Sequence, residues 1–179
     1  MREILYTPWE IEDCVMDTSE YFNQLYNTEN EHEVVFAPIL TGVVPFFNDV
    51  CKGLMFDPYV EYIGINSYQG TEQKEFNLYK MFDPKVIKDK TVWLFDDIAD
   101  SGNTLNFLTS MLKQYGAKEV KSCVLIKKAH CAHPVDVCGF TMTEDHFIFG
   151  YGMDGVDGRG RALNTILYEN NSIDNETVI

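Results

Sequence analysis

The stretch Val92-Trp93-Leu94-Phe95-Asp96-Asp97-Ile98-Ala99-Asp100-Ser101-Gly102-Asn103-Thr104-Leu105 decides how the chain is read. A compact apolar run reads as a buried strand. It meets a pair of carboxylates, and a turn of small residues then opens a helix predicted over 103–115. Ligands of open parallel sheets bind beyond the carboxyl ends of the strands, which is where this turn falls. Small residues at 101–104 let backbone N–H groups approach a phosphate. The hydroxyls of Ser101 and Thr104 add donors, and the helix N-terminus adds partial positive charge. Asp96 and Asp97 cannot hold that phosphate themselves. Carboxylates at a strand end suit vicinal hydroxyls, so the pattern fits a ribose 5-phosphate better than a bare triphosphate.

Working outward, the same alternation of short apolar runs and amphipathic stretches continues. A helix is predicted over 9–26, and Val34-Val35-Phe36-Ala37-Pro38-Ile39-Leu40 reads as a buried strand ended by Thr41-Gly42. A helix over 45–54, an alternating strand over 60–67 and a polar, mobile loop over 68–79 follow. A third apolar run at 120–126 closes on Lys127-Lys128, and a last strand near Phe147-Ile148-Phe149 leads into a glycine-rich turn. Strand, helix, strand in this order is the signature of a parallel sheet with crossover helices.

The bulk composition sets outer bounds. A chain of 179 residues, 45% of them hydrophobic, suits one domain with a sizeable core, assigned to 1–168 with a polar tail at 169–179. With 14 basic and 28 acidic residues the net charge is −14, which argues against duplex nucleic acid or an anionic membrane as partner. The N-terminus lacks the apolar core of a signal peptide and no run is long enough to cross a bilayer, so a cytoplasmic location is expected. The five cysteines are odd in number and scattered, and read as reduced thiols. His130, Cys131, His133 and Cys138 match no closed zinc pattern, and the segment reads better as a loop than as a metal site.

The segment from Asp96 to Thr104 resembles the phosphoribosyl pyrophosphate signature of the type I phosphoribosyltransferases, and other segments resemble the hypoxanthine-guanine branch in the same order along the chain. The resemblance implies an α/β fold: a central, mostly parallel sheet flanked by helices. A small hood over the base site would be formed by the N-terminal and about 128–168 segments. It implies transfer of a 5-phosphoribosyl group from phosphoribosyl pyrophosphate to a free 6-oxopurine, with Mg²⁺ as cofactor, in a homo-oligomer (dimer or tetramer). Asp96, Asp97, Ile98, Ser101, Gly102, Asn103 and Thr104 would hold the phosphoribosyl group, and Leu40, Thr41 and Gly42 the pyrophosphate. Many relatives carry a basic residue where Thr41 stands, which leaves backbone contacts there.

Further roles follow from the same resemblance. Ser67-Tyr68 would lead into the mobile catalytic loop. Asp100 would exchange a proton with the N7 side of the purine, its bland alternative being a helix N-cap. Lys127 would donate to the 6-oxo group, with Lys128 as the register-shift alternative. Phe147 would stack on the base opposite Ile98, with Ile148 in the same strand, and Asp154 would be the metal-associated carboxylate. The turn after Asp154 is one residue longer than the family pattern, so Arg159 or Arg161 contacts pyrophosphate; Gly160-Arg161-Ala162-Leu163 favours Arg161. Two other functions compete: phosphoribosyl transfer to xanthine or a pyrimidine, and a non-catalytic regulator that senses phosphoribosyl pyrophosphate. The absence of a basic nucleic-acid-binding region and the presence of Asp100, Asp154 and Lys127 favour catalysis.

Overall fold

A run without one polar side chain, such as Val34–Leu40, has no face to offer to water, so it belongs in a sheet covered on both sides. The computed structural model, which describes residues 2–69 and 74–169, places this run as strand β2 inside a seven-stranded sheet. The others are β3 (Tyr59–Val60), β4 (Ile63–Gln69), β5 (Lys74–Lys80), β6 (Thr91–Ala99), β7 (Glu119–Lys128) and β8 (Val137–Met142). The order is β5-β4-β2-β6-β7-β8, with β3 also pairing β2. All pairings are parallel except the antiparallel β4–β5 pair.

Helices cover both faces. α1 (Pro8–Leu25) begins with Thr7 and Glu10 in a reciprocal capping box and with proline in its first turn, a strong start signal. Its Ile11, Val15 and Phe22 join Phe46, Phe47 and Val50 of α2 (Val44–Lys52) over one face of the sheet, against Trp93 and Phe95. On the other face Leu105, Leu108 and Leu112 of α4 (Asn103–Gln114) and Ile87 of the short α3 (Pro84–Ile87) pack on Val35, Val92 and Leu94. A second, antiparallel sheet in the order β1-β10-β9 joins β1 (Arg2–Tyr6) and β10 (Ile166–Glu169) to β9 (Phe147–Phe149). Tyr6 stacks on Phe140 of β8 at 3.9 Å and ties the two sheets together.

Several expectations are corrected. The strand read over 60–67 is two strands, because Glu61 turns aside: its N–H donates to Phe36 O, and its carboxylate accepts from Asp83 N. The loop read over 68–79 is largely a hairpin. β5 pairs with β4 from Gly64↔Lys80 to Gln69↔Lys74, and Phe76 stacks on Phe107 of α4 at 4.7 Å. Residues 70–73 of that segment lie outside the described residues. β1, β8 and β10 were not read as strands; β8 carries Gly139 at its middle and lies in the main sheet, within the segment expected to form the hood. Glu169, read as tail, closes β10 and pairs with Arg2; residues 170–179 lie outside the described residues. No helix among the described residues is long and apolar enough to cross a membrane.

Candidate active site

β6 carries the acid pair near its C-terminal end. Along it Trp93 and Phe95 face the α1 side and Leu94 the α4 side, while beyond the acids Ile98 packs on the α1 side and Ala99 on the α4 side. The pair sits where this alternation slips. Asp96 is buried, and the Asp97 N–H donates to its Oδ1 at 3.1 Å. Burial first, and the neighbouring Asp97 charge second, push the Asp96 carboxyl well up. Burial raises Asp97 too, while hydrogen bonds from the Asp96 side chain and the Asp97 and Ile98 backbone, and the Arg161 charge, draw it back. Gly42, at the end of the β2 loop, approaches so closely that a Cβ there would run into the Asp97 carboxylate. The Leu40–Thr41 peptide next to it is cis. One pocket of about 190 Å³ joins Leu40, Thr41 and Gly42 to Asp96, Asp97, Ile98 and Thr104.

The turn that follows forms a second pocket of about 140 Å³, lined by residues 98–105 together with Asp96. Gly102 is the N-cap of α4 and has φ +81, a left-handed conformation that glycine adopts without strain. Asp100 is therefore not the helix cap, and that bland alternative is removed. The loop after β7 backs the turn: a Cβ at Gly102 would meet His133 N at 2.9 Å, and His133 Nδ1 lies 2.7 Å from Asn106 Oδ1. Burial lowers the His133 pKa. The two pockets share Asp96, Ile98 and Thr104 and so form one continuous site. A larger concavity, about 940 Å³ between α1 and α2, shares no residue with them.

The two lysines point apart. Lys127 pairs with Ala99 and Thr141, on the α4 side. Lys128 continues the face of Ile98, Ile126 and Met142, and its Nζ lies 3.2 Å from Asp100 Oδ1 and 2.6 Å from Asp145 Oδ1. These hydrogen bonds and charges raise the Lys128 pKa against the opposing effect of burial. His130 Nε2 lies 3.0 Å from the same Asp100 oxygen. The expectation for Lys127 thus meets the physical obstacle of strand alternation, and the register-shift alternative has the favourable face. Phe147 is exposed, whereas Ile148 is buried in the core and offers the site no open side chain. The backbones of Ser67 and Tyr68 lie in β4 opposite Phe76 and Glu75.

The glycine-rich turn completes the site from the other side. Arg161 Nη1 donates to Gly152 O at 2.7 Å and Nη2 lies 2.9 Å from Asp154 Oδ2. Arg159 is held through its backbone: its N–H donates to Asp157 Oδ1 at 3.1 Å and its carbonyl accepts from Gly155 N at 2.6 Å. The turn is anchored by Tyr151, whose hydroxyl donates to Asp49 of α2 at 2.6 Å. Asp49 and Asp145 carry no role in the sequence reading, and His130 enters it only in the segment set aside as a zinc site; single polar residues in turns and on helix surfaces carry no distinguishing pattern.

Residues 10–155 match the family model described as a phosphoribosyl transferase domain. The chain belongs to the phosphoribosyltransferase family. Among curated relatives, a hypoxanthine-guanine-xanthine phosphoribosyltransferase of Tritrichomonas foetus is 32% identical over 160 residues, 86% of this chain and 84% of the relative. A hypoxanthine-guanine phosphoribosyltransferase of Mycoplasma genitalium is 28% identical over 174 residues, covering 91% and 93%. The solved hypoxanthine-guanine phosphoribosyltransferase of Bacillus anthracis superposes with a TM-score of 0.80 at 26% identity, covering 94% and 99% of the two chains. This is the type I phosphoribosyltransferase fold, mostly parallel at its centre and flanked by helices.

Proposed function

We infer that the chain transfers the 5-phosphoribosyl group from phosphoribosyl pyrophosphate to a 6-oxopurine, hypoxanthine or guanine, giving IMP or GMP and pyrophosphate in purine salvage. The observation that carries this reading is the meeting, at the end of β6, of a buried acid pair, a turn of backbone donors and the Leu40-Thr41-Gly42 loop. Asp96 and Asp97 accept from the ribose hydroxyls, and the N–H groups at 101–104 with the start of α4 hold the 5′-phosphate. The Leu40-Thr41-Gly42 backbone and Arg161 receive the pyrophosphate as a purine nitrogen displaces it. Stabilising that departing charge supplies the larger part of the rate.

The donors present fit Mg²⁺. One oxygen of Asp154 is held by Arg161 while the carboxylate stays half-exposed. A hard ion of this kind needs one or two protein carboxylates, with substrate oxygens and water for the rest. Asp154 would hold it, and it would neutralise phosphate charge. A cytoplasmic homo-oligomer is part of the same reading.

Asp100 takes the proton from the N7 side, Ile98 and Phe147 enclose the base, and Lys128 donates to its 6-oxo group. Lys128→Met is expected to raise KM for hypoxanthine roughly ten- to a hundredfold, the worth of a charged hydrogen bond, while Lys127→Met stays within about threefold. The reverse order would restore Lys127 to the role. Asp100→Asn should lower turnover by about two orders of magnitude with KM little changed; a full-rate variant ends the general-base assignment. The reading itself is tested by base-dependent pyrophosphate release from the purified chain with Mg²⁺ and phosphoribosyl pyrophosphate, offering hypoxanthine, guanine, xanthine, adenine and uracil separately. Turnover with hypoxanthine or guanine is expected; binding of phosphoribosyl pyrophosphate without turnover would overturn it.

A further inference from the structure

We propose that His130 is a positioning residue for Asp100, holding its carboxylate while Lys128 is engaged by the purine. The inference rests on the 6-oxopurine reading. In the structure both donors fall on one oxygen, Asp100 Oδ1: His130 Nε2 at 3.0 Å and Lys128 Nζ at 3.2 Å. Among the described residues Oδ2 has no hydrogen-bond partner, which leaves it to receive the purine proton. The Asp100 side chain is more than half exposed, and these two contacts are its side-chain hydrogen bonds among the described residues.

Lys128 cannot serve both ends of the reaction equally. Its ammonium has three donors, and Asp145 takes one at 2.6 Å. When the 6-oxo group draws the ammonium toward the base, the Asp100 contact at 3.2 Å is the longer and weaker of the two to be given up. His130 lies in the turn just after β7, beyond the base-facing lysine, and its contact with Asp100 does not compete with the purine. A general base that swings even slightly off its line loses rate steeply, so a second anchor has kinetic value.

A metal reading of the same cluster is weaker. Ligand atoms of Asp100, His130 and Asp145 lie within 4.8 Å of one another, but the Lys128 ammonium already sits between the two carboxylates. The lysine fills the place a cation would take.

The test compares His130→Ala and His130→Gln with the unsubstituted full chain by single-turnover rate and by KM for hypoxanthine. Gln carries an N–H donor at nearly the reach of Nε2. The Ala variant is expected to react roughly tenfold more slowly with KM within about twofold, Gln to regain most of the rate, and Ala to cost nothing further in an Asp100→Asn background. An Ala variant at full rate, a Gln variant as slow as Ala, or a loss that appears in KM alone would overturn the proposal while base-dependent turnover of the unsubstituted chain still upheld the function. No turnover by that chain would overturn both.

Discussion

Alanine at position 152 is expected to lower kcat/KM by at least about a hundredfold, the range seen when reacting groups are displaced by an ångström. Gly152 has φ +99, and a Cβ there would run into the Gly42 carbonyl oxygen and stand 2.7 Å from Pro45 Cδ. The obstacles belong to the Leu40-Thr41-Gly42 loop and the start of α2, and a backbone oxygen cannot rotate aside as a side chain does. The same residue accepts from Arg161 through its carbonyl and donates its N–H to Arg161 O at 2.9 Å. Relieving the clash therefore moves the Gly42 loop or Arg161, the two groups proposed to receive the leaving pyrophosphate. Strain at a backbone angle of this kind costs about 1–3 kcal/mol, so the melting temperature should also fall, by roughly 2–4 °C per kcal/mol.

Gly158 supplies the comparison. It also has positive φ, at +73, but a Cβ there would meet nothing within 4 Å. Gly158→Ala should therefore lose stability of similar kind while keeping its kinetics. Steady-state rates and thermal melts on both variants decide the matter: normal kinetics in Gly152→Ala would show that the two loops are not rigidly coupled.

The parts legible in the sequence are those whose physics is local. β2 has the bounds read from its apolar run, and α1, α2 and α4 fall within one or two residues of their expected ends because periodicity and the Thr7–Glu10 box operate within one segment. β1, β8 and β10 were illegible because their burial depends on partners far along the chain: Arg2 pairs with Glu169, and Cys123 of β7 with Val137 of β8. β5 was hidden by its polar composition, suited to an edge strand. In the site, the Asp96-to-Thr104 segment was readable since one stretch supplies both acids and donors. The choice between Lys127 and Lys128 was not, because it turns on a slip in alternation along β6 and β7, which shows only in the core face that Ile98 and Ile126 join.

Replacing Asp96 by asparagine should stabilise the substrate-free protein and weaken phosphoribosyl pyrophosphate binding together. The sign follows from the pair. In the unfolded chain each carboxyl titrates in the ordinary range, whereas burial raises both in the fold and the Asp97 charge raises Asp96 further. A group whose folded value is raised contributes stability that is fully present below the unfolded pKa and is lost as pH rises through the folded one. The unsubstituted protein should thus melt at progressively lower temperature from acid toward neutral pH, and Asp96→Asn should flatten that decline and melt higher at neutrality. The isosteric amide can still accept the Asp97 N–H through its oxygen, so packing is conserved. Binding moves the other way. A charged acceptor for a ribose hydroxyl is lost, worth about 1.5–3 kcal/mol, or roughly ten- to a hundredfold in affinity. Thermal melts across pH and titration calorimetry with phosphoribosyl pyrophosphate measure the two arms. A variant less stable than the parent at neutral pH would mean the pair is compensated in the empty fold; one that binds as tightly as the parent would mean Asp96 does not face the ribose. Opposite signs in the two arms cannot arise from misfolding, which lowers both. They mark a site whose charge is kept for the ligand at a cost to the fold.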